Sequence, residues 1–372
     1  MHPATVLMIT IAISVWLLSR LLSRGRRRPL GAADPSTLDF ANLGFDYVQT
    51  RSLVRCDWSA ESGWSSPRAQ TDPTLSVHPM SSAFHYGQAL FEGLKAFRTA
   101  DGGAHIVNPT QNAARLARGC ERLAIPPPPM ELFIDAVKTA VEDNADYIPP
   151  YGSNGALYIR PFVFGHGAKL GLGAAPTYTF CVVVSPVGEY YASGAQKVPG
   201  CVIEDFDRAA PRGVGNVKAA GNYAADLMPA AEAAEAGYSI GLYLDAATRT
   251  FVEEFSTSNF IAITGDGSTY VTPSSDTILP SITNTMLQQL AADHGLRVER
   301  RPIPWDEVAS FREVAACGTA VVLKSIQSLA RGGEVADFGG RFETFRALYN
   351  RFRAIQVGDE PDVHNWCVPV AA

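Results

Sequence analysis

The sequence predicts an α/β protein built from two units of similar size. Three observations predict it. The 372 residues are 47% hydrophobic and 18% charged, a globular composition that excludes disorder, collagen and coiled coil as the main architecture, and the length exceeds one small core. Helix-like and strand-like segments are mixed in both halves. The 32 glycines and 25 prolines imply many turns, which suits a mixed chain better than a helical bundle. The units are expected at 38–190 and 201–372. Residues 191–200 are the expected linker, because Gly188 to Gly200 holds Gly, Ser and Pro and few bulky hydrophobes.

Taken in order, Asn108 to Ile125 reads as a helix, with Pro109 near its start and Leu116, Cys120 and Leu123 on one face. Pro126 to Pro129 stops it. Glu131 to Tyr147 reads as a second helix, with Phe133, Val137 and Val141 at fourfold spacing. Ala156 to Gly165 and Tyr178 to Val187 are apolar, β-branched and aromatic runs, hence strands. A Gly-rich segment at Pro211 to Gly221 precedes an Ala-rich helix from Asn222 to Ala236, with Gly237 as its C-cap. Strands follow at Ile240 to Asp245, near Thr250 to Phe255, and at Phe260 to Thr264. Leu279 to Thr283 leads into a helix ending at Gly295. Arg341 to Ile355 is the last helix.

The N-terminus differs from the rest. Ala4 to Leu18 is apolar except for Thr5, Thr10 and Ser14, and Arg20, Arg24, Arg26, Arg27 and Arg28 follow before any acid. Basic residues after an apolar run fit an anchor helix over residues 1–30, with the two α/β units on the cytosolic side of a membrane. A mitochondrial leader is the alternative. Lys and Arg number 31 against 37 Asp and Glu, a formal net charge of −6, so there is no basic excess for nucleic acid. The cysteines, Cys56, Cys120, Cys181, Cys201, Cys317 and Cys367, form no CxxC pair and share no zinc-ligand spacing with histidines. They read as free thiols, and no metal site is expected.

The chemistry concentrates after residue 210. Gly213-Val-Gly-Asn-Val-Lys218-Ala-Ala-Gly-Asn-Tyr223 sets a lysine among glycines, without the order of a nucleotide-binding loop. A lysine in a dry turn has a depressed pKa and can attack an aldehyde, whereas most lysines are solvated surface groups. Val252-Glu-Glu-Phe255 then puts carboxylates in a strand-like run, where alternation turns only one of Glu253 and Glu254 inward. A buried carboxylate needs a partner, and a protonated pyridine nitrogen is one. Leu279-Pro-Ser-Ile-Thr283 opens a helix, and helix starts bind phosphate. A Schiff-base lysine, a buried acid and a phosphate-binding helix start together describe a pyridoxal 5'-phosphate site.

From about Leu38 to Pro369 the chain resembles the branched-chain amino acid aminotransferases, fold-type IV pyridoxal phosphate enzymes. The motifs that carry the resemblance are Phe84-His-Tyr-Gly-Gln-Ala-Leu-Phe-Glu-Gly-Leu-Lys-Ala-Phe97, Leu157-Tyr-Ile-Arg-Pro161, Gly215 to Tyr223, Glu254 to Asn259, Ile278-Leu-Pro280 and Cys317-Gly-Thr-Ala320. The resemblance implies a two-domain fold like that of D-amino acid aminotransferase. It also implies amino transfer from hydrophobic, branched-chain L-amino acids to 2-oxoglutarate, and a homodimer in which the loop holding Leu172 reaches the partner's pocket.

By the same resemblance, Lys218 is the cofactor-bound catalytic lysine, Tyr223 meets the cofactor's phenolic oxygen and Glu254 its ring nitrogen. Thr257 and Asn259 complete that motif. Arg115, Ile282 and Thr283 hold the phosphate. Tyr86, Phe91, Tyr158 and Arg160 line the substrate pocket, and Thr319 and Ala320 receive the substrate carboxylate. Val321 and Lys324 stand where mammalian members carry a redox CxxC, so thiol regulation of that kind is not implied. His166, Gly167 and Ser256 depart from the family pattern, which leaves the substrate open and fits a specialised biosynthetic role. Other fold-type IV enzymes, D-amino acid aminotransferase and aminodeoxychorismate lyase, are the alternatives. A catalytically dead, membrane-tethered scaffold is the alternative of another class.

Overall fold

A computed structural model describes residues 31–188, 197–339 and 341–371. The first sheet uses β1 (Leu53–Ser59), β2 (Gly63–Trp64), β3 (Arg68–Gln70), β4 (Ala89–Phe91), β5 (Leu94–Arg98), β6 (Ala104–Val107), β7 (Ala156–His166) and β8 (Thr177–Val187). Three helices interleave with them: α1 (Ser82–Tyr86), α2 (Pro109–Arg122) and α3 (Met130–Asp143). Every pairing in this sheet is antiparallel. β7 alternates between buried and half-buried positions, so one face packs and the other stays open. The packed face meets Phe133, Val137 and Val141 of α3, whose fourfold spacing makes a single apolar stripe.

The second half continues with β9 (Val198–Val202), α4 (Ala220–Ala224), α5 (Leu227–Glu235), β10 (Ile240–Leu244), β11 (Val252–Phe255), β12 (Ser258–Ile263) and β13 (Thr269–Pro273). Then come α6 (Ile282–Asp293), β14 (Arg297–Arg301), β15 (Glu313–Gly318), β16 (Val322–Arg331), β17 (Glu334–Asp337) and α7 (Glu343–Val357). The second sheet runs β11-β10-β9-β16-β15-β12-β13-β14, and a further β11–β12 pairing closes its first six strands on themselves. β10 to β13 are buried on both faces; β10 is apolar throughout, and β11 carries Glu253 and Glu254 into the interior. The last strand, β18 (Cys367–Val370), returns to pair with β6 of the first sheet.

Most helices and strands expected from periodicity appear within a few residues of their expected ends. The Ala-rich helix is the exception, since it divides into α4 and α5. Pro229 has no N–H to donate to Ala225, and Asp226 is drawn aside by the Tyr243 hydroxyl at 2.6 Å. Gly237, at φ +88°, ends α5 as expected.

The expectation of a single-pass membrane protein is corrected. Among the described residues no helix is long and apolar enough to cross a membrane. The longest, α7, has 15 residues, while a span needs about 20. The apolar stretch within residues 1–30 on which the anchor and the leader both rested lies outside the described residues.

Candidate active site

The loop before α4 is pressed so closely against residue 277 that a Cβ on Gly215 would lie 2.2 Å from the Thr277 carbonyl oxygen. Only glycine fits there. The next turn delivers Lys218. Its carbonyl accepts from Phe91 N–H at 3.2 Å, and Ala219 bridges to Leu90, so β4 clamps the loop. The Lys218 Nζ donates to the Tyr223 hydroxyl at 2.9 Å and lies 4.6 Å from the centre of the Phe91 ring. The residue is half-buried while its amine is enclosed. Burial first, then the Arg115 charge, lowers the amine from 10.5 to about 8. Burial pushes the Tyr223 hydroxyl up to about 12.

β11 turns its two acids to opposite sides, as strand alternation requires. Glu253 accepts from Ser275 Oγ at 2.9 Å and from Thr277 Oγ1. Glu254 faces the Lys218 side. Its Oε1 takes Arg208 at 2.7 Å and Leu279 N–H at 2.9 Å, while Oε2 has, among the described residues, only Asn259 Nδ2 at 3.2 Å. Burial lifts Glu254 to about 7, against the opposing pull of Arg208. Thr257 is exposed in the two-residue turn between β11 and β12, near Gly318. Ser256 N–H donates to the Gly241 carbonyl at 3.0 Å, which makes that residue a turn anchor.

Arg115 is buried against Glu92, with Nε and one terminal nitrogen on the two carboxylate oxygens at 2.8 and 2.6 Å. Its other terminal nitrogen donates to the Pro280 carbonyl at 2.8 Å. A guanidinium has five N–H donors, so two remain. Nearby, α6 begins. Ser281 caps it by accepting from Asn284 N–H at 3.1 Å, which leaves the N–H groups of Ile282 and Thr283 without an internal acceptor among the described residues. A small cavity there is lined by Gly93, Asn112, Ile282, Thr283 and Thr319.

The expected substrate residues divide. Phe91 packs on Tyr223 with ring centres 4.8 Å apart, and the Arg160 guanidinium lies 4.7 Å from the Phe91 ring centre. Arg160 also donates to the Tyr158 hydroxyl at 3.1 Å, and its enclosed Nε has no partner among the described residues. Gly93 is needed here, because a Cβ would come within 2.3 Å of the Tyr158 oxygen. Thr319 and Ala320 lie in the turn between β15 and β16, where Val322 adopts φ +59°, an unusual conformation for a β-branched residue. Tyr86 and Leu172 stand apart. Tyr86 is 40% exposed with its hydroxyl on the Leu170 carbonyl, and Leu172 is 83% exposed.

Three residues escaped the sequence reading. Glu92 sat inside a quoted motif, and an acid between apolar neighbours was a signal that it needed a partner. Lys95, also in that motif, is buried and donates to the Ala320 carbonyl at 2.8 Å. Arg208 lies ten positions before Lys218 with no local pattern around it. Of the departures, His166 hydrogen-bonds Thr179 at 2.8 Å, and Thr179 in turn hydrogen-bonds Asp57. Lys324 is buried in β16.

The donor set fits pyridoxal phosphate. Two N–H groups at a helix start and two spare arginine donors suit a phosphate dianion. A buried carboxylate with an under-used oxygen suits a protonated ring nitrogen, and a phenol beside an amine suits the phenolic oxygen.

Comparison with known proteins agrees. The family model described as amino-transferase class IV matches residues 89–329. The chain is 41% identical over 346 residues to the aminotransferase poxL of Penicillium oxalicum, covering 90% of this chain and 94% of that one. The chain belongs to the class IV aminotransferases. Like its class it is a pyridoxal phosphate-dependent transaminase. It is also 40% identical over 342 residues to the branched-chain-amino-acid aminotransferase of Haemophilus influenzae, covering 90% and 99% of the two chains. The two-sheet fold matches the Escherichia coli branched-chain aminotransferase at TM-score 0.69 and 23% identity, covering 81% and 96%. It matches the pyridoxal phosphate form of the Thermobaculum terrenum enzyme at TM-score 0.71 and 22% identity, covering 87% and 99%.

Proposed function

We propose that this class IV aminotransferase moves the amino group of hydrophobic, branched-chain L-amino acids to 2-oxoglutarate. One observation carries the reading. Arg160 is a half-buried cation whose enclosed Nε has no partner among the described residues, laid on the aromatic rings of Phe91 and Tyr158. Such a wall accepts an apolar side chain by contact and a second carboxylate by charge, which a reaction alternating between leucine-like donors and glutamate requires. The relatives named as branched-chain aminotransferases support it.

Bound pyridoxal phosphate supplies an electron-accepting ring that stabilises negative charge at the substrate Cα. The chain's residues do the rest. Arg115 and the N–H groups of Ile282 and Thr283 hold the phosphate. Glu254 keeps a proton on the ring nitrogen through its Oε2, with Asn259 steadying that oxygen. Tyr223 donates to the phenolic oxygen. Lys218 would hold the cofactor through its Nζ and, when that amine is free, would serve as the base for the proton on the substrate Cα. An amine at about 8 is neutral, and so able to accept a proton, in roughly one chain in ten at pH 7, against fewer than about one in a thousand for an ordinary lysine. The turn at Thr319 and Ala320 offers N–H groups to the substrate carboxylate, with Thr257 beside it. Tyr86 and the exposed Leu172 loop complete a neighbouring subunit's pocket in a homodimer. The domains of this reading are 38–190 and 201–372, with β18 of the second returning to the first sheet.

A panel of amino donors with 2-oxoglutarate, followed by glutamate formation, tests the substrate reading. Leucine, isoleucine and valine are expected to react and D-alanine not. Turnover of D-alanine in preference to L-leucine overturns it. The Arg160→Met variant should raise the KM for 2-oxoglutarate about 10- to 100-fold while sparing the half-reaction with leucine. Equal losses on both sides would remove Arg160 from the role.

A further inference from the structure

The arginines of α2 do not share one role. Arg115 is buried and neutralised by Glu92, whereas Arg118 and Arg122, one and two turns further on, are exposed. They face a groove of about 470 Å³ whose opposite wall is the loop Pro211, Arg212, Gly213 and Asn216. Arg212 is exposed as well. Among the described residues none of these three arginines has a hydrogen-bond or ion-pair partner. One acid, Asp276, lines the groove, so the three arginines leave a net local charge of +2. The chain as a whole carries −6, so this excess is not a by-product of a basic composition. Arg115 and Pro280 form the inner wall, which separates the groove from the start of α6.

Like charges around one groove repel each other, and an anion relieves the repulsion. Guanidinium groups from two separate segments suit an anion with several oxygens in a row, because each planar fork takes two of them. Arg118 and Arg122, four apart on a helix, stand about 5–6 Å apart at Cβ and point to the same side. The volume lies in the range of small-molecule sites, about 300–1,000 Å³. We propose that this groove is a second anion site, outside the cofactor pocket, that binds a small molecule carrying a di- or triphosphate.

The test uses the enzyme fully loaded with pyridoxal phosphate, so that the phosphate cradle at Arg115, Ile282 and Thr283 is filled. Pyrophosphate and ADP are titrated in separately by calorimetry at low and at physiological salt. The expected result is saturable binding of one anion per chain, weaker in higher salt. The triple variant R118Q/R122Q/R212Q should weaken it at least tenfold, with cofactor absorbance unchanged. Asp276→Asn, which removes the one opposing charge, should tighten it severalfold, and this variant decides the matter if the triple variant fails to fold. ADP binding tighter than pyrophosphate identifies a nucleotide, and equal binding identifies the diphosphate alone; both support the site. No saturable binding overturns it, as does binding that the variants leave unchanged. Binding seen only before the cofactor is added also overturns it, because the anion would then be entering the cofactor's own cradle.

Discussion

Two buried glutamate–arginine pairs frame the site, and they are incomplete in opposite ways. In the Glu92–Arg115 pair the acid takes four hydrogen bonds, from Arg115, Asn112 and the Gly93 N–H on Oε2 and from Arg115 Nε on Oε1, while the arginine keeps two donors. In the Glu254–Arg208 pair one acid oxygen is filled by Arg208 and the Leu279 N–H, while the other keeps a lone pair beside a long bond from Asn259. The first pair therefore offers positive charge and the second offers negative charge. A cofactor with a phosphate at one end and a protonated nitrogen in its ring meets both demands. The lesson is that burial alone does not assign a role to an ion pair. What matters is which partner is left unfinished.

The comparison makes sense only if an amine stands between the pairs. Lys218→Ala should reduce kcat/KM by about 10⁴-fold or more while the unfolding midpoint stays near wild type. Steady-state kinetics beside a thermal melt check this, and turnover within tenfold of wild type would remove Lys218 from the centre.

The two pairs should then fail differently. Glu254→Gln should lower kcat about 10²- to 10³-fold and leave phosphate affinity nearly intact, whereas Glu253→Gln keeps its hydroxyl donors and should change little. If Glu253→Gln is the damaging change, the open acid has been misassigned. Arg115→Met should raise the cofactor dissociation constant and destabilise the chain by about 3–5 kcal/mol, since Glu92 is left buried and unpaired. The double variant E92Q/R115M should restore much of the stability and none of the cofactor affinity. Recovery of both in fluorescence titrations would show that the pair serves packing alone.

The smallest expected effect is a pH signature of the cofactor-free protein. Glu254 is raised from 4.5 to about 7, so the folded chain holds a proton that the unfolded chain has released, and stability falls as pH rises through that window. Lys218 is lowered from 10.5 to about 8, so the unfolded chain holds the extra proton above 8, and stability rises again. Melting temperature against pH should pass through a minimum between about 7 and 8. Glu254→Gln should flatten the acid side and Lys218→Met the alkaline side. A profile unchanged by either substitution would contradict the burial of these groups.

How legible this was depended on range. Local periodicity located α2, α3, β7 and β8, because a helix stripe or an alternating strand repeats within a dozen residues. The strand alternation of Glu253 and Glu254 was legible for the same reason. Arg208 was not, since its importance arises when the loop folds back on β11, 46 positions on in sequence. The return of β18 to the first sheet was equally hidden, because pairing across 260 residues leaves no local trace. The break between α4 and α5 was visible at Pro229 and was outweighed by a long alanine-rich run. The resemblance supplied residue roles that spacing alone left open, but not the partner of Arg115.

The central claim is that Lys218 is the amine between the two pairs. Borohydride reduction of the loaded enzyme fixes the cofactor to the lysine that carries it, and peptide mass mapping then locates the modified residue. The account predicts one modified site per chain, on the peptide containing Lys218. Modification at the buried Lys95 or Lys324, or no modification at all, would contradict it.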